Sequence, residues 1–198
     1  MSLELGIYKG DSLDYVLADG YFRMGNDIFT TNEVFVGNYG KSVIYDPVFW
    51  LRVNLKKAKE TATTKRIRKK CAGFSFIIQE ANITEEIEAL YALYLASVNF
   101  DGYPSCEACI PAINTAASVF DTYMIKIFDQ DQLISVGFFD KGLKSLMSVL
   151  HFYHPDYKRY SLGKFLMLIT KDFAQDAKMD FVYPGYFTID GTKMDYKI

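Results

Sequence analysis

The sequence predicts an α+β fold built on a mixed sheet, and three observations carry that expectation. Residues 122–128 ("TYMIKIF"), 133–139 ("LISVGFF") and 144–153 ("KSLMSVLHFY") are apolar runs separated by the turns "DQDQ" and "DKG", the pattern of a three-strand antiparallel meander. Leu162, Phe165, Ile169, Phe173 and Ala177 then recur at helical spacing, which predicts a central helix from about Ser161 to Lys178. A further strand follows at 180–187 ("DFVYPGYF"), broken at Pro184-Gly185.

The elements upstream follow from the same rules. Residues 12–19 read as a short helix with Ser12 as cap and Gly20 as stop. Residues 27–55 alternate apolar and polar side chains around the turn "GNYGK", which predicts the strands of a small N-terminal sheet. The basic run at 56–70 reads as helical and "GFSFII" at 73–78 as a strand. Between 82 and 98, Ile87, Leu90, Tyr91, Tyr94, Leu95 and Val98 form one stripe of an amphipathic helix, with an Asn82 to Glu85 capping box. Gly102, Pro104 and Pro111 mark residues 99–111 as a loop. Two regions result: 1–72, an N-terminal region ending in the basic helix, and 73–198, the meander-containing domain.

At 198 residues and 50% hydrophobic content the chain can bury a sizeable core. Fifteen Tyr and sixteen Phe supply flat surfaces that suit cores and base stacking alike. The net charge of −2 hides an asymmetry, because "KKAKETATTKRIRKK" (56–70) gathers eight of the 22 Lys and Arg beside one acid, Glu60. A basic band on an acidic body suits a polyanion such as nucleic acid; the bland alternative is a solvated helix face. No apolar run approaches the roughly 20 residues of a membrane span, and no basic-then-apolar leader opens the chain, so the expectation is a soluble cytoplasmic protein. Cys106, Cys109, His151 and His154 have the ligand count of a zinc site but not its spacing. They are read as ordinary loop thiols and non-ligating histidines, with no metal expected.

Meander, loop, helix and strand in this order resemble the core of the GNAT-type acyltransferases, whose central helix opens with backbone N–H groups aimed at a ligand. Acetyltransferases of that fold carry Gln or Arg, two residues, Gly, one residue, then a small residue in this loop. Here Tyr160 and Phe165 occupy the first and last of those positions around Gly163, and acetyl-CoA is retained as the alternative donor. A second resemblance covers about residues 12–197. "FYHPDYKRYSLGKF" (152–165) resembles the Phe-Tyr-Asp-Pro and Arg-Ser-Leu-Gly stretch of the arginyl-tRNA-protein transferases and their bacterial leucyl relatives. "YPGYF" (183–187) is similar to their Tyr-Leu-Gly-Tyr and "KMDYK" (193–197) to their Lys-Met-x-Tyr-Lys. "GYFRMGNDIFT" (20–30) resembles their Gly-Phe-Arg-x-Ser-Gly stretch, and "FWLRVNL" with "KRIRKK" their Arg-Val stretch and basic helix. The family's upstream cysteine pair has no counterpart in residues 40–53, and its additional N-terminal segment is missing, so the resemblance implies a shortened or divergent member.

That resemblance implies transfer of arginine or leucine from aminoacyl-tRNA to the N-terminal amine of proteins beginning with Asp or Glu; the alternatives are an N-acetyltransferase using acetyl-CoA and a non-catalytic tRNA- or protein-binding relative. Aminoacyl-tRNA would be the co-substrate, with no other cofactor, no metal and no membrane partner; the oligomeric state stays open. Such a reaction needs juxtaposition, an oxyanion donor and charge recognition more than a strong nucleophile, because the acceptor amine has a reference pKa of about 7.7–8.0. The resemblance assigns Ser161 and Gly163 to holding the tRNA end or the oxyanion, and Tyr153 and Tyr186 to pocket walls or hydrogen-bond donors. Arg159, Lys193, Tyr196 and Lys197 would meet the acceptor carboxylate or tRNA phosphates. Lys65, Arg66, Arg68, Lys69 and Lys70 would grip the tRNA body.

Overall fold

The computed structural model describes residues 2–3, 6–39, 42–99, 102–113 and 115–188. In chain order these form β1 (Ser2–Leu3), α1 (Asp11–Ala18), β2 (Phe22–Met24), β3 (Asp27–Phe29), β4 (Glu33–Tyr39), β5 (Ser42–Asn54), α2 (Ala62–Lys70) and β6 (Ser75–Glu80). Then come α3 (Glu85–Ser97), α4 (Cys106–Cys109), β7 (Thr122–Asp129), β8 (Gln132–Lys141), β9 (Ser145–Tyr153), α5 (Leu162–Asp176) and β10 (Phe181–Thr188). The mixed sheet, the meander β7-β8-β9, the central helix α5 and the following strand are all present as the sequence predicts.

Among the described residues the main sheet has seven strands in the order β4-β5-β10-β9-β8-β7-β6, and β1-β3-β2 form a small separate sheet. Strand β8 is buried on both faces, which explains its mostly apolar run, interrupted by Ser135, whose hydroxyl donates to the Phe152 carbonyl. Adjacent side chains therefore enter different layers: Phe139 packs with α5, and Phe138 packs with α3. On one face, Leu146 and Val182 meet Leu162, Leu166 and Ile169 of α5 and Ile67 of α2. On the other, Met147 and Tyr183 meet Leu13 and Leu17 of α1 together with Phe22 and Ile28. The remainder of that second face is covered by Ile87, Leu90 and Tyr91 of α3, against Phe138 and Phe152. The expected helical stripe thus enters the core through these residues.

Several local expectations are corrected. Strands β4 and β5 do not belong to a small N-terminal sheet. They extend the main sheet, because β10 pairs along its edge opposite β9 with β5, over pairs running from Phe181↔Asn54 to Thr188↔Val48. Gly40 and Lys41 of the expected turn lie outside the described residues. Ser12 is not the cap of α1: the helix starts one residue earlier, after Gly10 at φ 56. The cap of α3 is Thr84, whose hydroxyl accepts from the Ile87 N–H at 3.4 Å, and not Asn82. The expected loop at 99–111 contains α4, capped by Ser105 and held by the Glu88 carboxylate, which accepts from the Cys106 and Glu107 N–H groups at 2.9 Å each. The boundary at residue 72 falls between α2 and β6, and strands from both sides share the one sheet. Among the described residues no helix is long and apolar enough to cross a membrane.

Candidate active site

Strands β9 and β10 run parallel for three pairs only, Phe181↔Ser145, Val182↔Leu146 and Tyr183↔Met147. The next residue of β10 is Pro184, which has no N–H to continue the ladder. Gly185 follows at φ 100, in the left-handed region that favours glycine, and the pairing to β5 shifts register between Val182 and Gly185. Beyond Met147 the two strands therefore part, and "YPGYF" is the local cause.

A cleft of about 180 Å³ occupies the opening. Its aromatic wall comes from β2, β3, β5 and β10: Phe22 stacks on Trp50 at 3.9 Å between ring centroids, while Phe29 and Tyr186 meet Trp50 edge-on at 5.7 and 5.3 Å. The Trp50 indole N–H donates to the Thr31 carbonyl at 3.0 Å, which fixes the ring. Met147 through His151 of β9 and Met167 of α5 further line it with Pro184 and Gly185, and among the described residues no acidic side chain lines the cleft.

Arg23 enters the same cleft from β2. Its Nη1 donates to Asp140 at 2.9 Å and to the Thr122 hydroxyl at 3.0 Å, its Nε donates to the Gly25 carbonyl, and its guanidinium lies 4.1 Å from the centre of the Phe120 ring. Both side chains of the ion pair are almost fully buried, at 2% and 0% exposure. Complete burial pushes the Asp140 carboxyl above the ordinary carboxylate range, and Arg23 and Thr122 pull against that push. The pair ties the β2 hairpin to the centre of the sheet.

Ser148 stands where β9 and β10 separate. Its Oγ is buried and has no hydrogen-bond partner among the described residues, an arrangement that costs about 1–3 kcal/mol when nothing fills it. A second cavity of about 630 Å³ lies on the α5 side of the sheet, between α2, α5 and β10, and shares Ser148, Met167 and Pro184 with the first. Lys59, Lys164 and Lys171 line it alongside Thr61, Thr63 and Thr64. The two spaces thus meet through the gap between the strands, one on each face.

Of the residues singled out from sequence, Tyr186 lines the cleft. Ser161, at φ 60, begins α5 without a side-chain cap, and a β-carbon on Gly163 would meet nothing within 4 Å. With Lys164 of the same turn in the second cavity, the open start of α5 borders that space. Tyr153, at the end of β9, instead packs on Tyr94 at 5.4 Å. Arg159 is exposed, with its guanidinium 4.9 Å above Tyr160 and its carbonyl accepting from Lys70 Nζ at 2.5 Å. Arg68 bridges Glu60 at 2.9 Å and Asp172 at 2.7 Å, tethering α2 to α5, and its bond to Asp172 holds its pKa above the ordinary arginine value. Lys65, Arg66 and Lys69 are exposed and make no ion pair among the described residues. Lys193, Tyr196 and Lys197 lie outside the described residues.

Cys106 and Cys109 are not loop thiols: they occupy the ends of α4 and are buried against α3. Burial pushes both thiols up, Cys109 to about 11. Among the described residues no group of three or more His, Cys, Asp or Glu could hold a metal ion. His154 accepts from the Asp156 N–H at 3.3 Å and opens the 3-10 turn before α5. Sequence reasoning missed Trp50, Ser148, Met167, Lys164 and the site role of Arg23. The lone Trp and an Arg between apolar residues were visible signals, whereas nothing in the sequence distinguishes Ser148 from Ser145.

Residues 85–198 match the family model "Arginine-tRNA-protein transferase, C terminus". The aspartate/glutamate leucyltransferase of Teredinibacter turnerae is 25% identical over 151 residues, covering 73% of this chain and 62% of that protein. The enzyme of the same description from Paracoccus denitrificans is 28% identical over 163 residues, covering 74% and 57%. The chain thus spans about three-fifths of the length of these curated relatives. Among solved structures, the C-terminal DUF2156 domain of a lysylphosphatidylglycerol synthetase from Agrobacterium fabrum superposes with a TM-score of 0.56 at 14% identity, over 92% of this chain and 53% of that one. The L-PGS structure from Bacillus licheniformis gives 0.50 at 9%, over 93% and 52%. Likeness at such identity speaks for the fold alone. The family match runs from α3 to the C-terminus and takes in the meander, α5, β10 and the parting of β9 from β10; the chain belongs to the arginine-tRNA-protein transferase family through its C-terminal region.

Proposed function

We propose that this protein is a cytoplasmic aminoacyl-tRNA-protein transferase that moves leucine from its tRNA to the N-terminal amine of proteins beginning with Asp or Glu. It would use aminoacyl-tRNA as co-substrate and no further cofactor. The observation that carries the choice of donor is the cleft where β9 leaves β10. It is small and walled by Phe22, Phe29, Trp50 and Met167; among the described residues no acidic side chain lines it, and Arg23, which does line it, is paired with Asp140. Such a space favours an aliphatic side chain over a guanidinium, which would lose its hydration without gaining a carboxylate. The description of the relatives as aspartate/glutamate leucyltransferases supports the same donor and the acidic acceptors.

The lysines of the second cavity and the exposed Lys65, Arg66 and Lys69 of α2 suit the phosphates of the tRNA end and body. The reaction then needs little beyond alignment, because an unprotonated α-amine attacks an already activated ester. The test is transfer of radiolabelled leucine and arginine from their tRNAs to Asp-, Glu- and Ala-initiated peptides. Leucine is expected on the acidic peptides only. Incorporation of arginine instead overturns the donor assignment. No incorporation of either overturns the activity, and a calorimetric titration with acetyl-CoA then decides whether the chain is an acetyltransferase.

A further inference from the structure

Ser148 carries a chemistry that no family motif marks. It is the first β9 residue beyond the last pair with β10, so its outer edge faces the gap and not a ladder. On the other side, β9 bulges against β8: Phe139 pairs with Ser148 and Phe138 with Leu150, leaving Val149 as the extra residue. Bulges of this kind re-aim the side chains beside them. The result is a buried hydroxyl with no hydrogen-bond partner among the described residues, lining both the aromatic cleft and the lysine-bordered cavity. Met167 and Pro184, the other shared lining residues, offer no hydroxyl or side-chain N–H.

We propose that Ser148 is a catalytic residue whose Oγ–H donates to the carbonyl oxygen of the aminoacyl ester as that oxygen gains charge. This inference rests on the transferase reading. With the donor's side chain in the aromatic cleft and its nucleotide end among Lys59, Lys164 and Lys171, the ester carbonyl falls at the gap that joins the two spaces. The acceptor amine forms the new C–N bond at that carbon, the carbonyl oxygen takes the electron pair, and the C–O bond to the terminal ribose then breaks. The ribose hydroxyl leaves with the proton given up by the amine, so ester and amine become amide and alcohol. Ser148 enters as donor and not as nucleophile, because no side chain among the described residues accepts its proton in the resting site.

The experiment is steady-state transfer by the full chain and by Ser148→Ala and Ser148→Cys, with thermal unfolding of each. Wild-type transfer is measured first. If no aminoacyl-tRNA supports it, the transferase reading fails and this inference falls with it. Given transfer, Ser148→Ala is expected to lower kcat roughly 100-fold, as loss of one oxyanion donor does, with KM for aminoacyl-tRNA within about twofold. Ser148→Cys, nearly isosteric but a weaker donor, is expected to lie between the two. A kcat for both variants within about twofold of wild type overturns the role of Ser148 while leaving the transferase reading intact. A loss that appears in KM and unfolding temperature without a change in kcat overturns it as well, since packing alone would do that.

Discussion

The loop that opens α5 and the cleft between β9 and β10 are adjacent in the chain and opposite in how their polar groups are used. In the loop, Tyr157 donates to Asp129 at 2.8 Å, Tyr160 packs on Phe74 at 4.9 Å, Arg159 lies on Tyr160, and Lys70 reaches the Arg159 carbonyl. Its tyrosines and Arg159 are engaged with neighbours, and what remains open is the backbone at Gly163 and Lys164 beside it. In the cleft the reverse holds. The walls are apolar and fixed, Arg23 is neutralised by Asp140, and a single hydroxyl, that of Ser148, is buried with no hydrogen-bond partner among the described residues. Residues that draw the eye in a motif can serve to build the site, while the group aimed into it is an ordinary serine.

The largest effect that would sharpen this contrast concerns two arginines. Arg23→Ala leaves Asp140 buried without its counter-ion and is expected to destabilise the fold by about 3–5 kcal/mol in urea unfolding. Arg159→Ala, at an exposed position, should stay within about 0.5 kcal/mol. Equal losses would erase the distinction between the two regions. A smaller effect separates cations that build from cations that are free to bind. Replacing Lys65, Arg66 and Lys69 together by Ala should reduce the slope of log affinity for tRNA against log salt by about 2, at roughly 0.7–0.9 for each phosphate no longer neutralised, with little change in stability. Arg68→Ala should do the opposite, loosening α2 from α5 with little change in slope. The smallest concerns the open backbone of the loop. Gly163→Ala meets no neighbour and replaces glycine within a helix, so the unfolding free energy should rise by about 0.5–1 kcal/mol. A fall in stability would mean that the start of α5 is more crowded than its surroundings show.

Much of this was legible in the sequence where a local period or a local breaker decides the structure. The meander and α5 follow from strong patterns in apolar spacing, and the parting of β10 from β9 was foreshadowed by Pro184-Gly185. Caps were less legible: Ser12 and Asn82 are suitable cap residues, yet Gly10 and Thr84 take those places because neighbouring backbone and side chains choose among nearby candidates. The pairing of β5 with β10 was not legible, because a strand of alternating residues does not state which distant edge it will join. Likewise Arg68 reads as one more cation of a basic band until α5 brings Asp172 to within 2.7 Å.

By itself, then, the sequence determined the class of fold, the order of its central elements, the basic helix and the point at which the sheet would open, since each depends on residues within a turn or a strand of one another. Only the tertiary structure decided that Arg23 would be neutralised, that Trp50 would anchor an aromatic wall, and that Ser148 would be the hydroxyl between two cavities. Each of those depends on partners distant in the chain, such as Arg23 and Asp140, 117 positions apart, and long-range contacts of that kind arise from packing that no local pattern encodes.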